Sequence, residues 1–423
     1  MKKFFNRLIS AASFVCVFLS LNIANATFDV EFYNVGQGHC CVAKTAKNGI
    51  IIVDAGSSST IGVDQVNINK KKKIGLNLQL ANHIFSSIKG ELKSSNEKKL
   101  NFIITHADKD HLNLATSIVR QVIRECKNIS IKFILGGPES DYNKTEAKEV
   151  RDLLKKCKIP HAYGTEFTKN TLSLLWEPPL KVAFETSDTE SVEFLSVKSE
   201  AKTQAQTADI KNASSIVVKL NGEGCSVMIT GDKTKSEIME LIQFYDKENK
   251  QEALKADVLL ATHHGSEEDF SPLWMKMVNP SYLVVSAGTS SFFHPRPEAI
   301  CSESVLSNLR PVNNLPWHPI RSYGNLSSIQ TKHLDRLIPI CSGKDDNYRS
   351  TPYSYSMTNA GIYVTADQGM VKFKFSNKQV TARPTKQKGR FSFEEALERF
   401  LTSRSNEWSA LVVHPPSTHT HFV

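Results

Sequence analysis

Cys-x-x-Cys pairs are missing from this sequence, as are a G-x-S-x-G turn and any internal repeat. The first absence removes zinc-finger and thioredoxin-like readings. The second removes a serine hydrolase of the nucleophile-elbow kind, although Ser266 and several histidines are present. The third removes solenoids and propellers. Glycine and proline, at 20 and 16, are ordinary for 423 residues, so collagen-like and low-complexity architectures also fall away. Charged residues at 22% and aromatics at 9% exclude wholesale disorder. What remains is a globular chain with ample material for a core, two or three domains' worth by length or one large α/β domain.

Its N-terminus has a different character. Lys2, Lys3 and Arg7 precede an apolar stretch from Leu8 to Leu21, and Ala24-Asn25-Ala26 supplies a small-x-small pattern. That combination predicts a cleavable secretory signal over 1–26 and a secreted or periplasmic protein. The stretch is short for a retained span. Its removal takes away three basic residues and no acid, lowering the formal charge from +9 to +6. Seven cysteines remain (Cys40, Cys41, Cys126, Cys157, Cys225, Cys301 and Cys341), an odd number that leaves at least one thiol free or paired between chains.

Apolar periodicity organises the rest. Short runs at Val30–Val35, Ile50–Val53, Phe102–Ile104, Val258–Ala261 and Tyr282–Val285 read as buried strands. Leu80, Ile84, Ile88 and Leu92 repeat at helical spacing, after a lysine run at 70–73, and Ala147, Val150, Leu154 and Cys157 form a second helical stripe. Ile216–Leu220 and Cys225–Ile229 flank Asn221-Gly222-Glu223-Gly224, which predicts a hairpin. Intermixed strands and helices indicate a layered α/β fold. Residues 371–390 carry seven basic residues and no acid, so the remainder of the chain after 26 is close to neutral. They form a basic tail suited to a phosphate backbone or to simple solvation, and 391–401 reads as one short helix.

The chemistry concentrates where strands stop. Thr105-His106-Ala107-Asp108-Lys109-Asp110-His111 directly follows Phe102–Ile104. Four potential metal ligands in six residues at a strand's end are rigidly aimed at one point, and imidazole with carboxylate suits zinc, manganese or iron. The competing reading is a helix start with capping aspartates. Thr230-Gly231-Asp232 ends the second hairpin strand, Thr262-His263-His264-Gly265-Ser266 ends Val258–Ala261, and His294 to Glu298 follow Tyr282–Val285. Strand after strand thus brings Asp or His to one edge.

In this order the motifs resemble the metallo-β-lactamase superfamily, in the branch containing the hydrolase domain of ComEC-type competence proteins. The matching stretches are Asn34 to His39, Val53 to Gly56, His106 to His111, Ser215 to Asp232, His263 to Ser266, and His294 to Glu298, with Thr358 to Gly361 and Asp367 to Gly369 as closing strands. The resemblance spans roughly 28–376 and implies a four-layer αββα sandwich, one domain over 27–376, and a basic tail with a short helix over 377–423. It implies one or two zinc ions, manganese being the other candidate, with His106 and Asp108 on the first and Asp110 and His111 on the second. Asp232 would bridge, and His263, marginally favoured over His264, would complete the set. Asp110, His264 and His294 take the catalytic places, the histidines to contact substrate or supply a proton. Asp54 is expected to orient a ligand histidine rather than bind metal.

Two departures stand out. Asn34 and His39 replace acidic residues of the opening motif, and Asp108 stands where the wider superfamily has a histidine. His39 is read as a loop histidine beside the site, with membership of the metal surroundings as the alternative. The expected activity is metal-dependent hydrolysis of phosphodiesters, in nucleic acid or a phosphorylated envelope component. Hydrolysis of a lactone, lactam or thioester is the runner-up, and a catalytically lapsed metal-binding module is a third reading.

Overall fold

Runs of β-branched and aromatic residues become strands wherever both faces can be buried, and the parallel strands here are apolar almost throughout. A computed structural model of the chain describes residues 28–58, 76–94, 98–197, 207–288, 293–313, 315–323, 336–345 and 351–385. The signal over 1–26, the lysine run at 70–73 and the helix at 391–401 lie outside these described residues.

Two mixed eight-stranded sheets form an α/β sandwich. In space the first runs Gln379–Pro384, Val371–Ser376, Phe28–Phe32, Cys40–Thr45, Gly49–Ala55, Lys99–Ile104, Ser130–Leu135, His161–Tyr163. Its last four strands are mutually parallel. The second runs Ile362–Val364, Tyr282–Val285, Val258–Leu260, Cys225–Ile229, Val217–Gly222, Glu190–Ser196, Trp176–Glu177, Thr168–Lys169, with the first four parallel. A small three-stranded sheet adds His318–Ser322, Thr351–Thr358 and Leu337–Asp345.

Three apolar clusters follow from this arrangement. Phe28, Val30, Ile51, Val53, Ile103, Val218, Leu220, Val227, Ile229 and Val284 come from both sheets and fill the space between them. Ile50, Ile52 and Phe102 face the opposite way, onto helices Leu76–Ser94 and Ala115–Glu125. Met228, Leu259 and Leu283 do the same for helices Lys235–Lys247 and Pro272–Val278. Alternation along each strand therefore assigns successive side chains to two different apolar interfaces.

Both amphipathic stripes are helical. Leu80, Ile84, Ile88 and Leu92 are buried on Leu76–Ser94. Ala147, Val150 and Leu154 are buried on Thr145–Cys157, while Cys157 at the helix end is exposed. The hairpin closes through Glu223 and Gly224, both at positive φ (54° and 75°), as a two-residue turn of the favoured hand requires. Among the described residues Cys40, Cys41, Cys126, Cys157, Cys225 and Cys301 are all free.

The boundary drawn at residue 376 falls inside a β-hairpin. Gln379–Pro384 pairs antiparallel with Val371–Ser376, which in turn pairs with Phe28–Phe32, so the start of the basic stretch is an edge of the first sheet. Lys372 is bound to Asp29 at 2.8 Å and Glu31 at 3.3 Å and is committed to the fold.

Candidate metal centre

Parallel strands end on the same side of their sheet, and open α/β folds bind ligands outside those carboxyl ends. Here the ends of both sheets meet. Asp54 lies at the end of Gly49–Ala55, His106 follows Lys99–Ile104, Asp232 follows Cys225–Ile229, and His263 and His264 follow Val258–Leu260. No single element holds the cluster; the sandwich assembles it.

Asp54 organises the first-sheet half. It is fully buried at φ 57°. It accepts hydrogen bonds from the Thr105 backbone N–H (2.7 Å), the Thr105 hydroxyl (2.9 Å) and the Nδ1–H of His111 (2.8 Å). Burial works to raise its pKa, but His111 and His39 hold it at about 2. With Nδ1 given to Asp54, the His111 ring presents Nε2 to Asp232 Oδ1 at 3.2 Å. Asp54 therefore fixes the orientation of the His111 ring.

The loop carrying Asp108, Asp110 and His111 is clamped onto the turn at 54–57. The Leu114 N–H donates to the Ala55 carbonyl (2.8 Å), and the Asn113 side chain bonds both backbone groups of Ser57. A Cβ on Gly56 would lie 2.2 Å from the Asp110 carbonyl carbon and 2.3 Å from the His111 nitrogen, so this approach needs glycine. Asp108 begins the short helix Lys109–Leu112 and makes no side-chain cap there, against the capping alternative. Its carboxylate accepts from Lys211 Nζ at 2.9 Å and lies 3.7 Å from His106 Nε2.

His263, His264 and Gly265 occupy three successive left-handed conformations, with φ of 48°, 55° and 78°. That rare backbone turns the two histidines in different directions. His264 donates Nδ1–H to the Ser286 carbonyl (2.7 Å), leaving Nε2 3.4 Å from Asp110 and 3.5 Å from Asp232. His263 is 28% exposed, pairs through Nδ1 with Asp269, and has Nε2 3.6 Å from Asp232. His294 is part of the same neighbourhood, its ring 5.8 Å from that of His263. It also lines an open pocket with Arg321, Tyr323, Val364 and Asp367.

The charges are mutually dependent. Burial opposes ionisation of Asp232, but His111, His264 and His263 keep it well below the ordinary carboxylate range. Burial also opposes charge on His264, yet Asp232 and Asp110 raise it to about 10. His111 is raised in the same way by Asp232 and Asp54. His263 is raised by Asp232 and Asp269 against its burial. Asp110 is lowered by His264 and His111 despite being largely buried. His106 and His39 go the other way, to about 4, through burial and the neighbouring histidines, and His294 falls to about 3.

The sequence-predicted residues Asp110, His111, Asp232 and His264 thus converge within a few ångströms, His106 and Asp108 form an adjoining pair, and His263 and His294 stand at the outer side. Three partners escaped the sequence reading. Asp269 and Lys211 lie in stretches without a strand-end motif, and the Ser286 carbonyl carries no side-chain signal at all.

Donor atoms without hydrogen-bond partners test whether metal fits. The Nε2 atoms of His106, His111 and His264, both nitrogens of His39, and Asp232 Oδ1 are buried and make no hydrogen bond. Two sets, His39–His111–Asp232 and Asp110–His111–His264, each place three donor atoms within 4.8 Å of one another. Buried nitrogen and oxygen at this density, with ion-pair contacts of 3.2–3.7 Å but no hydrogen bonds, is costly unless a cation or ordered water completes it. Residues and chemistry fit a transition-metal dication.

No family model matches the chain. Over 84 residues it is 31% identical to ComE operon protein 3 of Bacillus subtilis (strain 168). The aligned stretch is 20% of this chain and only 10% of that protein. Among the described residues no helix is long and apolar enough to cross a membrane.

Proposed function

We propose that this chain is a metal-dependent phosphodiester hydrolase built on a metallo-β-lactamase-like αββα sandwich and exported by its N-terminal signal. The observation that carries the reading is the buried set of imidazole and carboxylate atoms without hydrogen-bond partners, gathered where the parallel strands of both sheets end. His111, His264, Asp110 and Asp232 would hold the ion, with His106 and Asp108 beside them. Zinc suits this donor set best, and manganese is the alternative. When bound, such an ion acidifies a water and polarises a phosphoryl oxygen.

The protein's own groups supply the rest. Asp54 and the Ser286 carbonyl fix the tautomers of His111 and His264, so both present Nε2 inward. His264, not His263, is therefore the better ligand of the pair. His263 carries its proton between Asp232 and Asp269 and is partly exposed, the position for giving a proton to a leaving oxygen. His294, held neutral, lines the adjoining cavity. Arg321, which lines that pocket along with Asp367, is a positive group for an anionic substrate to meet. The resemblance of the motifs to the ComEC-type branch leans the same way, toward nucleic acid or a phosphorylated envelope component.

The test uses one preparation of residues 27–423. It should retain zinc or manganese and hydrolyse bis(p-nitrophenyl) phosphate, with activity lost on chelation and restored by metal. Turnover of lactone, lactam or thioester substrates but not the diester would transfer the assignment to that class. Metal without turnover of any ester would identify a binding module.

Metal uptake should also release protons. At pH 7.5 the metal-free cluster holds protons on His264 and His111, both raised by their carboxylate partners. Loading should expel on the order of one to two protons per ion, read with an indicator dye in weakly buffered solution. Protons compete for the same nitrogens, so metal affinity should rise steadily from pH 6 to pH 9. An affinity independent of pH over that range would contradict the ligand set.

A further inference from the structure

His39 lies just before the strand Cys40–Thr45, and both of its backbone groups are tied to the site. Its N–H donates to the Asp110 carbonyl (2.9 Å) and its carbonyl accepts from the Gly56 N–H (2.9 Å). The ring is 1% exposed and sits 4.3 Å from the ring of His264 and 4.6 Å from that of His111. Asp54 Oδ2 is 3.7 Å from Nδ1, beyond hydrogen-bond reach, and neither ring nitrogen has a hydrogen-bond partner. Burying an imidazole this way forfeits its hydration with no hydrogen bond in return. A structural histidine of the core would have found a carbonyl, as His264 Nδ1 has.

Counting lone pairs narrows the arrangement. The two three-residue donor sets share His111. Its Nδ1–H is given to Asp54, so only Nε2 is available, and one lone pair serves one ion. The two sets therefore meet at that nitrogen, His39 and Asp232 reaching it from one set and Asp110 and His264 from the other. The His106–Asp108 pair is a poorer place, because Lys211 already neutralises Asp108.

We propose that His39 is a direct ligand, so that the tightest ion of this protein is held by three imidazoles, His39, His111 and His264, with Asp232 and Asp110. The proposal rests on the metallohydrolase reading and sharpens it. Three neutral nitrogens select zinc or cobalt over the hard, oxygen-seeking ions.

Cobalt(II) titration of the chain from residue 27 onward tests it without reference to turnover. Wild type should take up one ion tightly, and His39→Gln, close to it in size, should weaken that site by more than about a hundredfold, beyond the roughly 10–100-fold that loss of an orienting partner alone costs. His39→Cys should bind cobalt with a new sulfur-to-metal charge-transfer band in the near ultraviolet. Wild type, whose Cys40 and Cys41 are also present in the variant, should lack it. Tight binding by wild type, with no band in His39→Cys and unchanged affinity in His39→Gln, overturns the ligand assignment and leaves the metallohydrolase reading standing. No ion bound by wild type overturns both. Should His39→Gln fail to fold, the His39→Cys band, or pulsed electron paramagnetic resonance of copper-loaded wild type counting two rather than three imidazoles, still decides the matter.

Discussion

Asp110→Ala is expected to lower phosphodiester turnover at least about a hundredfold while leaving the fold intact. Asp110 contributes a carboxylate to the cluster from the short helix Lys109–Leu112, 19% exposed, and its side chain meets His264 Nε2 at 3.4 Å. Losing even a group that only orients a ligand costs about 10–100-fold in metal affinity or activity, so losing a ligand should reach or exceed the upper end. The backbone that braces the loop, through the Asp110 carbonyl and His39, is untouched by the truncation. His111→Ala should lose as much activity and also stability, because it leaves the buried carboxylates of Asp54 and Asp232 short of their nearest cation. Steady-state rates with bis(p-nitrophenyl) phosphate, beside metal content and circular dichroism, separate the two effects. Full activity in both variants, with no metal retained by wild type, would end the metallohydrolase reading.

The largest stability loss is expected at Asp54, which touches no substrate. Asp54→Ala removes the shared acceptor of Thr105 N–H, Thr105 Oγ1 and His111 Nδ1 in a site closed to water. Breaking a buried charged network on one side costs about 3–5 kcal/mol, mainly through the uncompensated partners left behind. The urea midpoint should fall by that amount divided by the slope, with the slope unchanged. Acid provides the matching control. The folded-state pKa of Asp54 is about 2, below its unfolded value, so its contribution is full above about pH 4 and is lost as pH falls through 2. The gap between wild type and Asp54→Ala should therefore narrow only in that acidic window. A gap that closed between pH 8 and 6 would assign the stabilisation to histidine titration instead.

Much of the fold was legible because the signals are local. Period-four apolar stripes at Leu80–Leu92 and near-continuous runs such as Tyr282–Val285 report burial on one side or two, whatever the rest of the chain does. The turn at Glu223-Gly224 needs only its own backbone. The first-sheet edge at Gln379–Pro384 was missed because exposed Gln379, Thr381 and Arg383, alternating with only half-buried Val380, Ala382 and Pro384, look like a solvated tail until the partner strand is known.

The site divides the same way. From sequence alone came the residue types and their places at strand ends: His106, Asp108, Asp110, His111, Asp232, His263, His264 and His294. Which of two adjacent histidines faces inward depended on three left-handed residues and a carbonyl 22 positions away, Ser286. Whether His39 was a bystander or a donor depended on Gly56 and Asp110 gripping its backbone. Local chemistry is written in the order of residues, because ligand identity and strand ends are properties of short segments. Direction is not, because a ring is aimed by contacts between segments far apart in the chain, and only the packing of the two sheets brings those contacts into being.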